Sequence, residues 1–312
     1  MGAGEFNLID WFRGHPPADP ARVPVGPGDD CAVVSVAGRR VLVTTDAFLD
    51  GTHFDLSHTD PVAVGRKAMN ASLSDIAAMA GLPVAAVVSV GLPRGCGREL
   101  GRALYRGLRA AADAAQCAIV GGDITAWSRA ADRLAVSVTV LGDPAGVEPV
   151  LRSGAHVGDG LIVTGRLGGS SVGRHLSFEP RLAEARALAE AVDLHAMIDL
   201  SDGLSSDAAH IARESGVGVL IRETAVPIHP DAVALSETTG RPPVDHALND
   251  GEDFELLFTV DADTAAILAA HPPVAVPLTV VGEVIEAGVL LEAADGTRQP
   301  LKAGGYEHDI GD

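Results

Sequence analysis

Lysine and aromatic residues are scarce in this chain of 312 residues. Lys67 and Lys302 are its only lysines, aromatic residues make up 4%, and the formal net charge is −19. Because nucleic acids and anionic membranes bind surfaces of dense positive charge, we expect neither as a partner. A Walker A loop is excluded, since neither lysine is followed by Ser or Thr. The absence of a GxGxxG turn between a strand and a helix argues against a Rossmann dinucleotide site.

Cysteine is also rare. Cys31, Cys96 and Cys117 show no CxxC spacing, and two of them lie in apolar runs, which predicts buried free thiols in a reducing compartment. No apolar stretch reaches about 18 residues, and no charged segment followed by an apolar one opens the chain. The sequence therefore predicts a cytoplasmic protein.

Apolar runs alternate with helical patterns along the whole chain, which predicts an α/β (α+β) fold. The length exceeds that of a usual single core, and the segment GDPAGVEPV at 142–150 has linker composition. We therefore expect two domains, 1–148 and 149–312. Strands are predicted at 31–36, 41–45, 84–90, 117–120, 133–141, 160–164, 196–200, 217–221, 253–260 and 278–284. Helices are predicted from Pro61 to about Gly81, over 98–116, and near 180–192, 204–215 and 264–271.

Carboxylates recur where apolar runs end. The stretch AMIDLSDGLSSD at 196–207 holds three of them between a predicted strand and a predicted helix. Others occur in GPGDD at 26–30, VLVTTD at 41–46, SLSD at 72–75, IVGGD at 119–123 and NDGED at 249–253. A predicted hairpin with its turn near Gly38 would place Asp30 roughly opposite Asp46. Neighbouring carboxylates repel one another unless they are protonated or neutralised, so this pattern needs a positive partner.

Two interpretations of the pattern compete. An Asp at a strand end is often only a turn former or an N-cap, as we expect for Asp60 and Asp263. The recurrence of Gly, Ser and Thr beside these acids favours a shared site for several hard cations such as Mg²⁺. Zinc is disfavoured because the eleven histidines show no ligand spacing, and Ser201 and Gly203 exclude an EF-hand. Arg152 and Arg166, in Gly-rich surroundings, are candidate phosphate ligands, with a surface role as the alternative.

Taken together and in order, the motifs resemble those of the thiamine-monophosphate kinase family, within the aminoimidazole-ribonucleotide-synthetase-like ATP-binding superfamily. The resemblance spans nearly the whole chain. It includes GEFNLI at 4–9, GPGDDCAVV at 26–34, VTTDAFLDGTHF at 43–54, NASLSDIAAMAG at 70–81, GGDIT at 121–125, RSGAHVGDGLIVTG at 152–165, IDLSDGLSSD at 198–207, GEDFELLF at 251–258 and GYEH at 305–308.

The resemblance implies a two-domain PurM-like architecture, a homodimer that pairs the N-terminal sheets, and a C-terminal α/β domain that closes over the site. It implies ATP and several Mg²⁺ ions, with direct phosphoryl transfer to thiamine monophosphate. The implied metal ligands are Asp29, Asp30, Thr45, Asp46, Asp75, Asp123, Asp199 and Asp202, with Asp30, Asp46 and Asp202 acting in catalysis and Asp207 as a weaker candidate. The implied nucleotide residues are Gly121, Gly122, Asp123, Arg152, Ser201 and Tyr105, and the implied substrate residues are His53, Glu255 and Tyr306.

Two positions depart from the family's pattern. Gly169 stands where the family usually has Asp, so one expected contact is missing or is supplied elsewhere. Asp309 follows His308 where the family usually has an aromatic residue. We therefore expect weaker contact between the C-terminal segment and the substrate.

Other functions stay open on the sequence alone. Selenophosphate synthetase is disfavoured because no reactive Cys/Lys pair lies near the start, and a hydrogenase-maturation protein because no cysteine follows Cys117. A non-catalytic Ca²⁺-binding module and a metal-dependent phosphatase are the alternatives from other classes.

Overall fold

The computed structural model describes residues 5–15, 19–129, 132–302 and 304–306. Its helices are α1 Glu5–Arg13, α2 Pro61–Ala78, α3 Gly97–Ala114, α4 Leu182–Ala191, α5 Leu204–Ser215, α6 Pro230–Thr239, α7 Pro243–Asn249 and α8 Ala262–Ala270. Its strands are β1 Ala32–Val36, β2 Arg39–Leu49, β3 Leu82–Leu92, β4 Ala118–Ala126, β5 Ala135–Asp143, β6 Gly160–Thr164, β7 Ala196–Asp199, β8 Gly218–Arg222, β9 Leu256–Val260, β10 Leu278–Ile285, β11 Val289–Glu292 and β12 Arg298–Pro300. None of these described helices is both long and apolar enough to cross a membrane.

The first half of the chain forms a five-stranded sheet in the order β1-β2-β5-β3-β4. Strands β1 and β2 form the predicted hairpin, and its turn residues Ala37 and Gly38 both have positive φ, which suits a tight hairpin turn. The register pairs Ala32 with Val43. Extended by two residues, this register places Thr45 opposite Asp30. The sequence predicted Asp46 there, which is one position further along β2.

The second half forms a seven-stranded mixed sheet in the order β12-β11-β8-β10-β6-β9-β7. Every residue of β6, β7 and β9 is buried, which is typical of strands covered on both faces. The two sheets and their helices confirm the predicted mixed α/β class.

Helix α2 is the element on which both halves pack. It contacts β2 and β5 of the first sheet, α3 beside it, and α4 and β7 of the second half. Met69, Leu73 and Ile76, whose spacing places them on one face of the helix, are fully buried, but so are polar residues around the rest of the helix. A helix buried nearly all round carries polar groups only where each finds a partner. Those partners form the site described below.

The prediction of elements is right for the strongly patterned segments and incomplete elsewhere. Helix α5 has the predicted bounds, whereas α1, α6, α7, β11 and β12 were missed because they are short or lack a clear apolar period. Strand β4 continues through the GGD motif to Ala126. Strand β9 begins at Leu256 instead of residue 253, since Glu252 and Phe254 have positive φ and form a loop.

Helices α2 and α3 touch through two glycines. A Cβ on Gly107 would lie 1.9 Å from the backbone oxygen of Val62, and a Cβ on Gly65 would lie 2.1 Å from that of Leu104. These distances are far below van der Waals contact, so any side chain here would push the helices apart.

We expect Gly107→Ala to destabilise the protein by about 2 kcal/mol, because overpacking a well-packed contact costs about 1–3 kcal/mol. The measurement is urea-induced unfolding. Gly101→Ala in the same helix is the matched control, since the nearest atom to its added Cβ would be 3.9 Å away. That variant should be neutral or slightly more stable. Equal free energies of unfolding for the two variants would contradict the close-approach explanation.

Candidate functional site

Two adjoining cavities lie between the first sheet, α2 and the loops that follow β7 and precede β9. One has a volume of about 540 Å³ and the other about 340 Å³, and we call them together the acidic cleft. The structure brings most of the predicted site residues to its walls: Asp30, Thr45, Asp46, His53, Asp75, Arg152, Asp199, Ser201, Asp202 and Tyr306. These residues come from six sequence motifs and share one space, as the multi-cation interpretation requires.

Three carboxylates form the centre of the cleft. One oxygen from each of Asp30, Asp75 and Asp199 lies within 4.8 Å of the others. Ser74 Oγ donates a hydrogen bond to Asp199 Oδ2 at 2.6 Å, and Thr44 Oγ1 donates to Asp75. Hydroxyl donors orient these acids without neutralising them.

Asp46 lies on β2 next to this centre, where Ser72 Oγ donates a hydrogen bond to its Oδ2 at 2.7 Å. Ser72 and Ser74 are both buried on α2. The sequence pattern SLSD therefore supplies two orienting hydroxyls in addition to the carboxylate of Asp75.

Loss of solvent dominates the electrostatics of the acids. Burial raises the pKa of Asp199 to about 8, with the charge of Asp30 as the next cause. Burial, reinforced by the charge of Asp46, raises the pKa of Asp75 well above its usual value, and burial also raises that of Asp46. Without a cation, Asp199 therefore holds a proton at neutral pH.

We expect the stability of the metal-free protein to fall by at least about 1 kcal/mol between pH 7 and pH 8. Asp199 binds a proton more tightly when folded than when unfolded, so its contribution is full below pH 4 and is lost as the pH rises through about 8. The opposite contribution of buried His210, whose pKa burial lowers to about 4, is complete by about pH 6.5. Thermal unfolding at the two pH values measures the effect. Excess Mg²⁺ should abolish it and Asp199→Asn should reduce it; a flat profile without metal would contradict the assignment.

Arg152 is the buried cation beside the acids. Its Nη2 donates to Asp30 Oδ1 at 2.6 Å, and its backbone N–H lies 3.2 Å from Asp29 Oδ2. Burial alone would lower the pKa of Arg152, but the charge of Asp30 and this hydrogen bond raise it overall. Burial and the charge of Asp30 raise the pKa of Asp29 to about 6.

Two buried polar atoms at this point lack hydrogen-bond partners among the described residues, Asp30 Oδ2 and Arg152 Nε. Buried polar atoms are rarely left without partners. A free carboxylate oxygen suits a cation, and a free guanidinium N–H suits a phosphate oxygen. The pair therefore fits a metal–phosphate group.

Asp207 acts on the backbone. Its Oδ2 accepts hydrogen bonds from the N–H groups of Asp202 at 3.2 Å and Gly203 at 3.0 Å. Burial and the charge of Asp202 raise the pKa of Asp207 well above its usual value. In this arrangement Asp207 holds the loop that presents Asp202 to the cleft, although one oxygen of each and a nitrogen of His210 also lie within 4.8 Å of one another.

Sequence reasoning missed a buried ion pair beside the cleft. Lys67 on α2 is 1% exposed, and its Nζ donates to the backbone oxygen of His53 at 2.6 Å and to the carboxylate of Glu252. Burial lowers the pKa of Lys67, while the charge of Glu252 opposes that shift. The scarcity of lysine was the available signal, since Lys67 is one of only two lysines in the chain.

His53 and Glu252 also line a further cavity of about 770 Å³, which we call the flanking cavity. Its wall includes Asp50, Asp55 and His175. The Lys67 ammonium thus joins two loops that face both the acidic cleft and the flanking cavity.

The tail lies over the start of α5. The N–H of Tyr306 donates to the backbone oxygen of Asp202 at 3.1 Å, and that of Gly305 donates to Ser206 Oγ at 3.1 Å. The Tyr306 ring, 48% exposed, lines both parts of the acidic cleft. Residues 307–309, with the departure at Asp309, lie outside the described residues.

Four predicted nucleotide residues are not brought to the cleft within one chain. Tyr105 lies half-exposed on α3 beside Arg109. Gly121, Gly122 and Asp123 lie on β4, the exposed edge strand. Following the register across the sheet, Asp123 on β4 is in line with Ala47 on β2, and both lie on the sheet face opposite α2. The two residues are three strand spacings apart, which is about 14 Å.

Glu255 and Arg166 also lie elsewhere. The Glu255 carboxylate is 5% exposed and is bound by Arg181 through two hydrogen bonds of 2.6 and 2.8 Å and by Thr164. It lines neither the cleft nor the flanking cavity, because Phe254 and Glu252 turn the loop before β9. Glu252 occupies the position facing the cavities that we predicted for Glu255. Arg166 is exposed.

The departure at Gly169 has a packing explanation. Gly169 has φ 73°, and a Cβ there would lie 2.5 Å from the backbone N of Ala232 in α6. An Asp cannot occupy this position while α6 packs against it. The nearby carboxylate of Asp253 accepts the N–H of Gly168 at 2.9 Å instead.

Comparison with known proteins gives a consistent result. AIR synthase related proteins match this chain with their N-terminal domain at 28–143 and their C-terminal domain at 153–291. A thiamine-monophosphate kinase of Rhodopirellula baltica is 40% identical over 289 residues, which is 90% of this chain and 89% of that relative. The chain belongs to the thiamine-monophosphate kinase family. It is therefore an enzyme with the two-domain PurM-like fold that the motifs implied.

Solved structures agree. The one described as AaThiL complexed with AMPPCP and TMP has a TM-score of 0.82 at 30% identity and covers 98% of this chain and 97% of its own. HypE, a hydrogenase maturation protein of Escherichia coli, has a TM-score of 0.71 at 22% identity, covering 95% and 97%. At that identity the second likeness shows the fold alone.

Proposed function

We propose that the enzyme transfers the γ-phosphoryl group of ATP directly to the phosphate of thiamine monophosphate, giving thiamine diphosphate and ADP. The observation that carries this is the unpartnered Asp30 Oδ2, buried among Asp75 and Asp199 and next to the unpartnered Nε of Arg152. Family membership and the ATP analogue and TMP named for the similar structure support the choice of substrates.

The donor set fits Mg²⁺. Hard cations take oxygen ligands, and Mg²⁺ typically uses a few carboxylates together with substrate phosphates and water. We assign the direct or water-mediated ligands to Asp30, Thr45, Asp46, Asp75, Asp199 and Asp202, with Asp29 holding the backbone of Arg152. When bound, the ions would supply the positive charge that two polyanionic reactants need in order to approach.

The residues of the chain have three tasks in this reaction. Arg152 offers its guanidinium to a nucleotide phosphate, and the loop of Ser201 and Asp202 is fixed by Asp207 so that its groups face the transferring phosphoryl. No residue must remove a proton, because a phosphate monoester has a second pKa of about 6 and is already ionised. This suits a cleft in which positioning and charge stabilisation supply the catalysis.

The organic part of the acceptor is proposed to lie toward the flanking cavity. Thiazolium is a permanent cation, and on the wall of this cavity the carboxylates of Asp50, Asp55 and Glu252 outnumber the one guanidinium, that of Arg133. Tyr306 lines the acidic cleft and supplies an aromatic ring to which a cation can bind. His53 borders both spaces and separates the phosphate end from the ring end.

We further propose a cytoplasmic homodimer that pairs the N-terminal sheets. The sheet face opposite α2 exposes Val84, Val87 and Leu141, and β4 exposes Val120 and Ile124, with Ile124 75% exposed. An exposed apolar face of this extent next to an unpaired edge strand is typical of an interface. A second copy packed on this face would place its own residues beside Gly121, Gly122 and Asp123. We propose that the nucleotide role of these three residues needs both chains. We place the domain boundary near residue 149, between the two sheets.

The test is a direct assay. Purified protein is mixed with ATP, Mg²⁺ and thiamine monophosphate, and thiamine diphosphate, ADP and free phosphate are measured. We expect thiamine diphosphate and ADP in equal amounts. Phosphate release without an acceptor would indicate a phosphatase, and Ca²⁺ binding without ATP turnover would indicate a binding module.

A further inference from the structure

A second group of metal-ligating side chains lies outside the acidic cleft. His156 and Asp159 belong to the turn before β6, and His195 immediately precedes β7. One ligand atom from each lies within 4.8 Å of the others. Asp199 ends the strand that His195 begins, four residues away, so about 13 Å separates this group from the acidic centre.

The three side chains are held by a rigid scaffold. The N–H of His156 donates to Asp159 Oδ2 at 2.8 Å, and the N–H of Asp159 donates back to the oxygen of His156 at 3.0 Å. Gly158 is tied to Val284 of β10, and His195 N donates to the oxygen of Thr259 in β9 at 2.9 Å. Asp159 is 3% exposed, while His156 is exposed to solvent.

The two imidazoles face each other through the same kind of atom. His195 Nδ1 lies 3.3 Å from His156 Nδ1 and 2.8 Å from Asp159 Oδ2. If His195 Nδ1 carries a proton, it donates a good hydrogen bond to the Asp159 carboxylate. His156 Nδ1 then has only a long contact with that same N–H group. A cation in place of that proton would be coordinated by one lone pair from each of His156, Asp159 and His195.

The separation of the two imidazole nitrogens suits zinc, while Asp159 Oδ2, now 2.8 Å from His195 Nδ1 in a hydrogen bond, would lie about 3.3 Å from that nitrogen around the ion. A tetrahedral zinc ion binds imidazole nitrogens at about 2.0–2.1 Å, so two such nitrogens lie about 3.3–3.4 Å apart. Two imidazoles and one carboxylate are a zinc donor set, whereas Mg²⁺ prefers oxygen alone.

We propose that His156, Asp159 and His195 bind a zinc ion, with a fourth ligand from solvent on the exposed side of His156. The ion joins the turn at 154–159, which follows Arg152, to the start of the strand that carries Asp199. It stabilises this edge of the second sheet and takes no part in phosphoryl transfer. The proposal is independent of the proposed function.

The test uses Co²⁺ as a spectroscopic substitute for Zn²⁺ in the full chain. Four-coordinate Co²⁺ with imidazole ligands absorbs strongly in the visible region, whereas Co²⁺ in an all-oxygen six-coordinate site absorbs weakly. We expect one equivalent of the intense spectrum, displaced by Zn²⁺ and unaffected by excess Mg²⁺. His156→Ala and His195→Ala should each weaken zinc binding by at least about tenfold, and His271→Ala, which removes a surface imidazole elsewhere, should not.

Thermal unfolding supplies a second readout. Without zinc, His156→Ala should melt with the wild type, since this side chain is exposed; with zinc, only the wild type and His271→Ala should gain stability. An intense spectrum that survives in His156→Ala or His195→Ala would overturn the proposal. So would a wild-type spectrum of the weak, six-coordinate kind alone.

Discussion

Replacing Asp202 or Asp46 with Asn should lower kcat for thiamine diphosphate formation by about a hundred- to a thousandfold. Each substitution removes one carboxylate charge from the walls of the acidic cleft while keeping the shape of the side chain. Interactions that act on charge developing in the transition state are worth about a hundred- to a thousandfold each, and a cation ligand acts on such charge. Single-turnover formation of thiamine diphosphate at saturating Mg²⁺ is the measurement.

Asp263→Asn is the matched control, because Asp263 is an exposed residue in the first turn of α8 and we assign it no role in the acidic cleft. It should keep the wild-type rate. Thermal unfolding without Mg²⁺ separates lost ligation from lost folding: Asp46→Asn should be no less stable than the wild type, since it removes a carboxylate that burial disfavours as an anion. Near-normal rates in both cleft variants would refute the metal assignment.

Replacing Lys67 with Met should destabilise the protein by about 3 kcal/mol and raise KM for thiamine monophosphate more than KM for ATP. Removing one partner of a buried ion pair costs about 3–5 kcal/mol, and the partial exposure of Glu252 puts this case at the low end. The loops of His53 and Glu252, both held by the ammonium, border the flanking cavity where we place the organic part of the acceptor. Steady-state kinetics and urea unfolding measure the two effects.

A double-mutant cycle identifies the cause. Lys67→Met with Glu252→Gln removes both charges, so the double variant should be more stable than the sum of the single effects predicts, by at least about 1 kcal/mol. Additive effects, or equal increases in the KM values of both substrates, would show that Lys67 acts through helix packing alone and does not position Glu252.

The acids of the cleft could be found from sequence because each lies in a local pattern with its own signature. The residue pattern that marks a strand ending on Asp, or a helix beginning after Gly and Ser, is contained in a segment of about ten residues. Helix α5 and the β1–β2 hairpin illustrate this, since capping, periodicity and turn residues determined both. The position of Glu255 shows the limit: Glu252 lines the cavities and Glu255 does not, because residues 252 and 254 of the loop between them have positive φ angles.

The ion pair of Lys67 shows a second limit. No local pattern links a helix residue to a glutamate 185 positions away, and the pairing exists only because α2 packs against both sheets. The same applies to Ser74 and Asp199, and to the two histidines of the proposed zinc site.

By itself, the sequence determined the mixed α/β class, the chemistry of the site and most of its carboxylates, because these depend on short-range periodicity and on residue types suited to one kind of ligand. The tertiary structure decided which acids meet, which of two glutamates lines the cavities, and where the neighbouring arginine and lysine lie. These are contacts between segments far apart in the chain, and their geometry is set by the packing of α2 and by backbone turns. Within one chain Asp123 lies on the edge strand β4, apart from the cleft, which local sequence pattern could not predict.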